Sequence, residues 1–285
     1  MSAPSPLPTA RSVIDLRAAV AAWRGAGWSV GFVPTMGALH EGHLSLVRQA
    51  RTRCDRVCAS VFVNPTQFAP TEDLDRYPRQ EATDAELLAA AGCDLLFLPT
   101  PLTMYPPGFA TAVTVSGVTD DLEGRFRPQM FGGVALVVAK LLNQVQPDVA
   151  VFGEKDFQQL LVIRRMAADL DLPVEILAGE TVREADGLAM SSRNAYLAPA
   201  ERAVAAKLNV ILREAAAKAG SGEPVAEVEA WAKAAVREAG FRDVDYVAVR
   251  SAQDLSPFEH TATAPARVLA AAWLGQTRLI DNVAV

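Results

Sequence analysis

The alternation of apolar and polar positions divides the chain into short runs of two kinds. The first kind is a continuous apolar run bounded by turn residues, at 29–35, 57–63, 94–99, 148–152 and 174–178. Such runs read as strands buried on both faces, as in a parallel sheet covered by helices. The second kind repeats apolar residues at helical spacing, at 12–25, 42–53, 84–92, 133–145 and 156–170. Ser12 stands where an N-cap is needed, and Gly92 closes the helix over 84–92. Strands alternating with helices require right-handed crossovers. Residues 1–180 are therefore predicted to form a Rossmann-like, doubly wound α/β domain that binds its ligand at the carboxyl ends of the strands.

Beyond residue 180 the texture changes. A turn at Asp186-Gly187 is followed by two alanine-rich helices over 199–219 and 225–239, split by Gly220-Ser221-Gly222. Strand-like runs follow near 244–249, 267–273 and 277–283. This predicts a smaller α+β domain over 181–285 with a mostly antiparallel sheet.

Composition narrows the functional classes. Of 285 residues, 51% are hydrophobic and 21% charged, enough apolar material for sizeable cores. The formal net charge of −6 disfavours a nucleic-acid partner, because phosphate binding draws on clustered Lys and Arg. No apolar run reaches the roughly 20 residues of a transmembrane helix, so no membrane partner is expected. Cys54, Cys58 and Cys93 are odd in number and not spaced as C-x-x-C, and they read as small core residues in a reducing compartment. Residues 1–10 carry neither a basic nor an apolar leader region and read as a flexible tail. A cytoplasmic location is expected.

Four segments carry chemistry. Pro34-Thr35-Met36-Gly37-Ala38-Leu39-His40-Glu41-Gly42-His43 follows a strand and opens a helix. Gly37 permits a close backbone turn, and the helix start offers N–H groups to an anion such as a phosphate. His40 and His43, three apart, are expected on one helical face. A Walker A loop is excluded, because Gly42 is followed by His43-Leu44 rather than Lys-Ser/Thr. A zinc-protease helix is excluded by the spacing of three, and no resident metal site is expected. The pattern fits the HxGH signature of nucleotidyltransferases, in which imidazoles hydrogen-bond the phosphates of ATP. As bare packing, the pair would be capping or core histidines.

The second segment, Gly153-Glu154-Lys155-Asp156 with Gln158-Gln159, again lies at a strand end. Lys155 is placed to meet a phosphate, Asp156 could cap the next helix, and Gln159 is expected on the same face as Lys155. The third, Met190-Ser191-Ser192-Arg193-Asn194, offers two hydroxyls and a guanidinium, either to a triphosphate or as a polar turn. The fourth is Phe62-Val63-Asn64-Pro65-Thr66-Gln67. Asn64 and Gln67 are neutral readers of hydroxyl groups and Phe62 an apolar wall; the bland reading is an Asn-Pro turn.

Together these segments resemble the pantothenate synthetase family. The shared motifs, in order, are PTMGALHEGH, FVNPxQF, DxxxYPR, MYPxG, LEGxxRP, FGEKDxQQL and TVREADGLAMSSRNxYL, spanning about residues 33–197. The resemblance implies an HxGH-type Rossmann fold with a C-terminal lid domain. It implies condensation of pantoate with β-alanine through pantoyl-adenylate, with ATP as substrate, Mg²⁺ on its phosphates, and a homodimer. By motif, ATP would meet Met36–His43 (Met36, Gly37, Ala38, Leu39, His40, Glu41, Gly42 and His43), Gly153–Asp156 (Gly153, Glu154, Lys155 and Asp156), Val182 and Met190–Arg193 (Met190, Ser191, Ser192 and Arg193). His43, His40, Lys155 and Arg193 would be catalytic, with His43 where the family has a proton donor. Gln67 would touch both pantoate and β-alanine, and Gln159 would touch pantoate, alongside Asn64 and Phe62. One departure stands out. The family usually reads RPGHF where this chain has Arg127-Pro128-Gln129-Met130-Phe131, so a water or Gln129 would have to replace the imidazole contact. The competing functions are a nucleotidyltransferase that retains the nucleotide in its product and a non-catalytic ATP sensor. The first does not predict Gln67 or the FGEKDxQQL segment, and the second would bind ATP without pantoate-dependent exchange of label between pyrophosphate and ATP.

Overall fold

The structure, a computed structural model, describes residues 7–70, 72–258 and 265–285. It divides into two compact units, Met1–Glu154 with Val162–Glu180, and Lys155–Leu161 with Thr181–Val285. The segment Lys155–Leu161, which the sequence pattern assigns to the first domain, thus groups with the second. Lys155 and Phe157 both contact the C-terminal sheet, a long-range preference that local periodicity does not carry.

The elements of the first unit are β1 (Thr9–Ala10), α1 (Val13–Gly25), β2 (Val30–Thr35), α2 (Glu41–Arg53), β3 (Arg56–Val61), α3 (Glu81–Ala90), β4 (Leu95–Phe97), α4 (Pro101–Met104), α5 (Glu123–Phe126), α6 (Met130–Val145), β5 (Val149–Gly153), α7 (Phe157–Asp169) and β6 (Glu175–Gly179). Only the first turn of α7 belongs to the second unit. All six strands are parallel, in the order β1-β4-β3-β2-β5-β6. The chain moves outward from β2 through β3 to β4, then returns to the other side of β2 with β5. The order therefore reverses between β2 and β5, and this switch point is where doubly wound sheets bind ligands. The helices cover both faces: α2 packs on the sheet beside α3, while α1 packs with α6. Val33, Val57, Val151, Leu46 and Val47 meet in the core between sheet and α2.

Ser12 caps α1 as expected, its hydroxyl accepting from Asp15 N at 3.1 Å. The tail reading needs correction at one end. Residues 1–6 lie outside the described residues, but Thr9–Ala10 forms an edge strand on β4, and Ala10 is buried. A two-residue strand has no periodicity to detect, and only its partner Leu96–Phe97 makes it a strand. The three cysteines are free and buried, as their reading as core residues expects. Burial pushes the Cys58 thiol well up and that of Cys93 to about 12, so neither offers a thiolate.

The second unit contains α8 (Pro199–Ala205), α9 (Lys207–Gly220), α10 (Val225–Glu238), β7 (Asp243–Ser251), β8 (Ala266–Leu274) and β9 (Thr277–Ala284). Its three strands form an antiparallel sheet, β7-β8-β9. Small residues on the inner faces, among them Ala215, Ala232, Ala270 and Ala272, let α9 and α10 approach that sheet closely. The alanine-rich composition of α9 and α10 thus serves close packing.

Candidate active site

The segment after β2 is shaped by an unusual pair of backbone angles. Gly37 and Ala38 are both left-handed, with φ of +84° and +51°. A Cβ on Gly37 would lie 2.9 Å from Asp84 Oδ2 and 3.0 Å from Val61 Cγ1, so space as well as φ requires glycine. Ala38 in this conformation costs about 1–2 kcal/mol, so something must hold it. That group is Asp84, on α3 and 1% exposed. Its two oxygens accept from Ala38 N at 3.0 Å and Leu39 N at 2.9 Å. Nothing local in the sequence marks Asp84 for this task, since it lies some forty-five residues downstream and reads as an ordinary first-turn acid.

The two imidazoles behave differently from a pair spaced along a helical face. His40 is extended (φ −138°) and is the N-cap of α2; only His43 is inside the helix. Gly42 N donates to His40 Nδ1 at 3.1 Å, and His40 N donates to His43 Nδ1 at 3.3 Å. The histidines thus fill the reciprocal capping roles usually taken by Ser and Glu. Their ring centroids lie 4.1 Å apart. A nitrogen that accepts a backbone N–H carries no proton, so each neutral ring holds its proton on Nε2. Capping and presenting an Nε2–H donor are therefore one arrangement. Glu41 is half-exposed and pairs with Arg48.

β3 delivers the next group. Thr35 pairs with Val61 in register, so the segments leaving β2 and β3 start side by side. Asn64 is buried and caps the turn Pro65–Gln67 by accepting from Thr66 N. Its Nδ2 donates to Gln67 Oε1 at 3.0 Å and to Gly133 O at 3.2 Å. Gln67 Nε2 reaches Met36 Sδ at 3.0 Å, which brings together two residues expected to bind different substrates. Phe62 is buried, its ring 6.3 Å from that of Tyr105. α6 crosses this turn at Gly133, where a Cβ would lie 2.3 Å from Thr66 O and 2.7 Å from Gln67 N. Gly133→Ala is expected to displace the turn. Overpacking of this kind costs about 1–3 kcal/mol, and thermal unfolding together with the KM for the acid substrate should both report it. An unchanged KM would mean that the turn has room to give.

Position 130 is where this chain departs from the family's usual histidine. Met130 opens α6 and is buried, and its thioether accepts from Arg127. Arg127 forms a two-pronged pair with Glu72, both contacts at 2.7 Å. Gln129 is exposed and makes no side-chain cap. The sulfur of Met130, not Gln129, therefore completes the surroundings of Arg127.

Glu154–Asp156 forms a 3₁₀ turn and α7 begins only at Phe157. Lys155 and Gln159 are thus not on one continuous helical face. Lys155 Nζ lies 3.8 Å from Asp156 Oδ2, and its carbonyl accepts from Asn282 Nδ2 on β9 at 3.0 Å. Arg267 lies over the Phe157 ring at 4.2 Å. Val182 O accepts from Met190 N at 3.0 Å, closing a small hairpin whose tip holds Gly187 at φ +91°. Ser191 Oγ then caps the 3₁₀ turn Ser192–Tyr196 by accepting from Arg193 N. Arg183 anchors the hairpin through Asp281, with contacts at 2.8 and 2.9 Å. Arg202 pairs with Glu184 and Asp186, both at 2.6 Å.

A glycine turn and paired imidazoles at the carboxyl end of β2, beside the switch to β5, define a nucleotide-using α/β enzyme of the HxGH class. Comparisons specify it further. The family model for pantoate-beta-alanine ligase matches residues 8–284. A pantothenate synthetase of Caulobacter vibrioides is 60% identical over 277 residues, covering 96% of this chain and 97% of that one. The crystal structure of pantothenate synthetase from Thermus thermophilus superposes with a TM-score of 0.91 at 49% identity, over 97% and 99% of the two chains. That of pantoate-beta-alanine ligase from Francisella tularensis, complexed with beta-gamma ATP and beta-alanine, gives 0.81 at 31%, over 97% of each. The chain belongs to the pantoate-beta-alanine ligase family.

Proposed function

We propose that this protein joins pantoate to β-alanine with ATP, through enzyme-bound pantoyl-adenylate. The pantoate carboxylate attacks the α-phosphorus and expels pyrophosphate. The β-alanine amine then attacks the acyl carbon, loses a proton and expels AMP. The observation that carries this reading is the HxGH turn at the β2 carboxyl end with Gln67 against Met36, within a family of that name. A nucleotidyltransferase that retains its nucleotide is not favoured, because nothing in that chemistry calls for Gln67 or for membership of this family.

His40 and His43 donate from Nε2 to phosphate oxygens, beside the positive end of α2. Met36–His43, Gly153–Asp156, Val182 and Met190–Arg193 hold the nucleotide. Lys155 and Arg193 meet charge that grows on the phosphoryl oxygens. Gln67 and Gln159 read pantoate, Asn64, first expected beside them, supports Gln67 from behind, and Phe62 backs the methyl groups. Neutral amides suit this task, since a cation clamped on the carboxylate would stabilise the ground state and blunt the nucleophile. Mg²⁺ enters on the ATP phosphates as part of the substrate. The enzyme acts as a cytoplasmic homodimer. No helix among the described residues is long and apolar enough to cross a membrane.

Exchange of labelled pyrophosphate into ATP should require pantoate but not β-alanine, and AMP should appear free. Nucleotide retained in the product would overturn the reading. The histidines allow a finer test, because their capping and donor roles separate by substitution. His40→Ala loses both, and loss of an N-cap costs about 0.5–2 kcal/mol. His40→Asn keeps a capping oxygen but no Nε2–H. Melting temperature should fall in His40→Ala and recover in His40→Asn, while the adenylation rate should stay about 10–10²-fold low in both. Full recovery of rate with His40→Asn would leave His40 a cap only.

A further inference from the structure

The proposed reading makes Gln67 a substrate contact but leaves open which end of its amide faces the substrate. The hydrogen bonds around it decide this, because two of them involve backbone groups of fixed polarity. Gly133 O can only accept, so the Asn64 atom 3.2 Å away must be Nδ2. Thr66 N can only donate, so the other Asn64 atom must be Oδ1. Tyr105 OH, 2.8 Å from Oδ1, must then be the donor in that bond. Burial pushes the Tyr105 phenol above its ordinary range, which keeps the proton on it at neutral pH. The second Nδ2 hydrogen of Asn64 goes to Gln67 Oε1 at 3.0 Å. The carbonyl end of Gln67 is thereby directed at Asn64. Its NH₂ end lies toward Met36, whose sulfur is a weak acceptor.

We infer that Tyr105 is a positioning residue: donating to Asn64 Oδ1, it steadies the side chain whose direction Gly133 O and Thr66 N set, and so holds the Gln67 amide with its N–H donors toward the substrate. Gln67 then reads acceptor oxygens, those of a carboxylate or a hydroxyl, and does not contact an ammonium group through its carbonyl. Tyr105 is well placed to hold this direction. It follows the buried Met104 at the end of α4, and its ring packs edge-on to Phe109 at 5.3 Å. Thr66 Oγ1, also 2.9 Å from Asn64 Oδ1, supports the same polarity.

Tyr105→Phe keeps the ring and removes the donor. The kcat/KM for pantoate is expected to fall about 5–20-fold, the effect of one hydrogen bond, with the KM for ATP and the melting temperature nearly unchanged. In a Gln67→Leu background the same change should have an effect within about twofold, because Tyr105 acts through Gln67. Gln67→Glu, which places acceptors where donors are proposed, should impair pantoate use more than Gln67→Leu does. Equal effects of Tyr105→Phe in both backgrounds, or Gln67→Glu outperforming Gln67→Leu, would overturn the inference. So would a crystal structure of Tyr105→Phe in which the Asn64 and Gln67 side chains are placed and ordered as in the wild type, a result independent of activity. Failure of the wild-type protein to make pantothenate would instead overturn the functional reading.

Discussion

Lys155→Ala is expected to slow pantoyl-adenylate formation by about 10²–10³-fold, the range typical of losing one donor aimed at developing charge. Lys155 is suited to this role by its mounting. Its carbonyl is held by Asn282 at 3.0 Å, and among the described residues its ammonium has only a loose 3.8 Å contact with Asp156. The backbone is fixed while the side chain keeps a weak partner that a phosphate can replace. Single-turnover adenylation, with acid quench and separation of the adenylate, isolates the step. Attack of β-alanine on preformed adenylate should be much less affected, because by then pyrophosphate has left. A Lys155→Ala enzyme that adenylates at the wild-type rate would remove Lys155 from the chemistry.

Asp84→Ala should be comparably severe although Asp84 is assigned no contact with substrate. It would strand the buried N–H groups of Ala38 and Leu39, each now bonded at 2.9–3.0 Å. An unsatisfied buried group costs about 1–3 kcal/mol, so the competent loop loses about 2–6 kcal/mol against alternatives. Ala38, at φ +51°, adds a bias toward relaxing away. At 1.4 kcal/mol per factor of ten, kcat/KM for ATP should fall by about 10²–10³ or more. Asp84→Asn keeps one acceptor oxygen and should fall between the two. If Asp84→Ala keeps both its melting temperature and its KM for ATP, the loop is held by something else.

These two residues also mark the limit of sequence reading here. Lys155 draws notice as a candidate because a cation after Gly153-Glu154, at a strand end before a helix, has few structural reasons to be there. Asp84 does not, because its partners are backbone atoms of a distant loop and it occupies an unremarkable first-turn position. Tyr105 lay inside a recognisable MYPxG motif, yet its task depends on Asn64 meeting it from β3's loop. The histidines stand out in the sequence as candidate chemistry, and their expected geometry is corrected by the structure. A spacing of three implies one helical face only if both residues are helical, and His40 is the cap.

The sequence alone determined the alternation of strands and helices, the parallel character of the buried apolar runs and the change of texture after residue 180. It also singled out the segments proposed here to carry phosphate-binding and amide chemistry. These features are local: each follows from periodicity, turn residues or motif order within a few positions. Tertiary structure decided the rest. It paired Thr9–Ala10 with β4 and grouped Lys155–Leu161 with the C-terminal sheet. It set Asp84 under the Gly37-Ala38 turn and aligned Gly133 O, Asn64 and Tyr105 so that Gln67 faces one way. Each of these rests on contacts between residues tens of positions apart. A sequence pattern records which groups must be buried or turned, but only the packed chain supplies their partners.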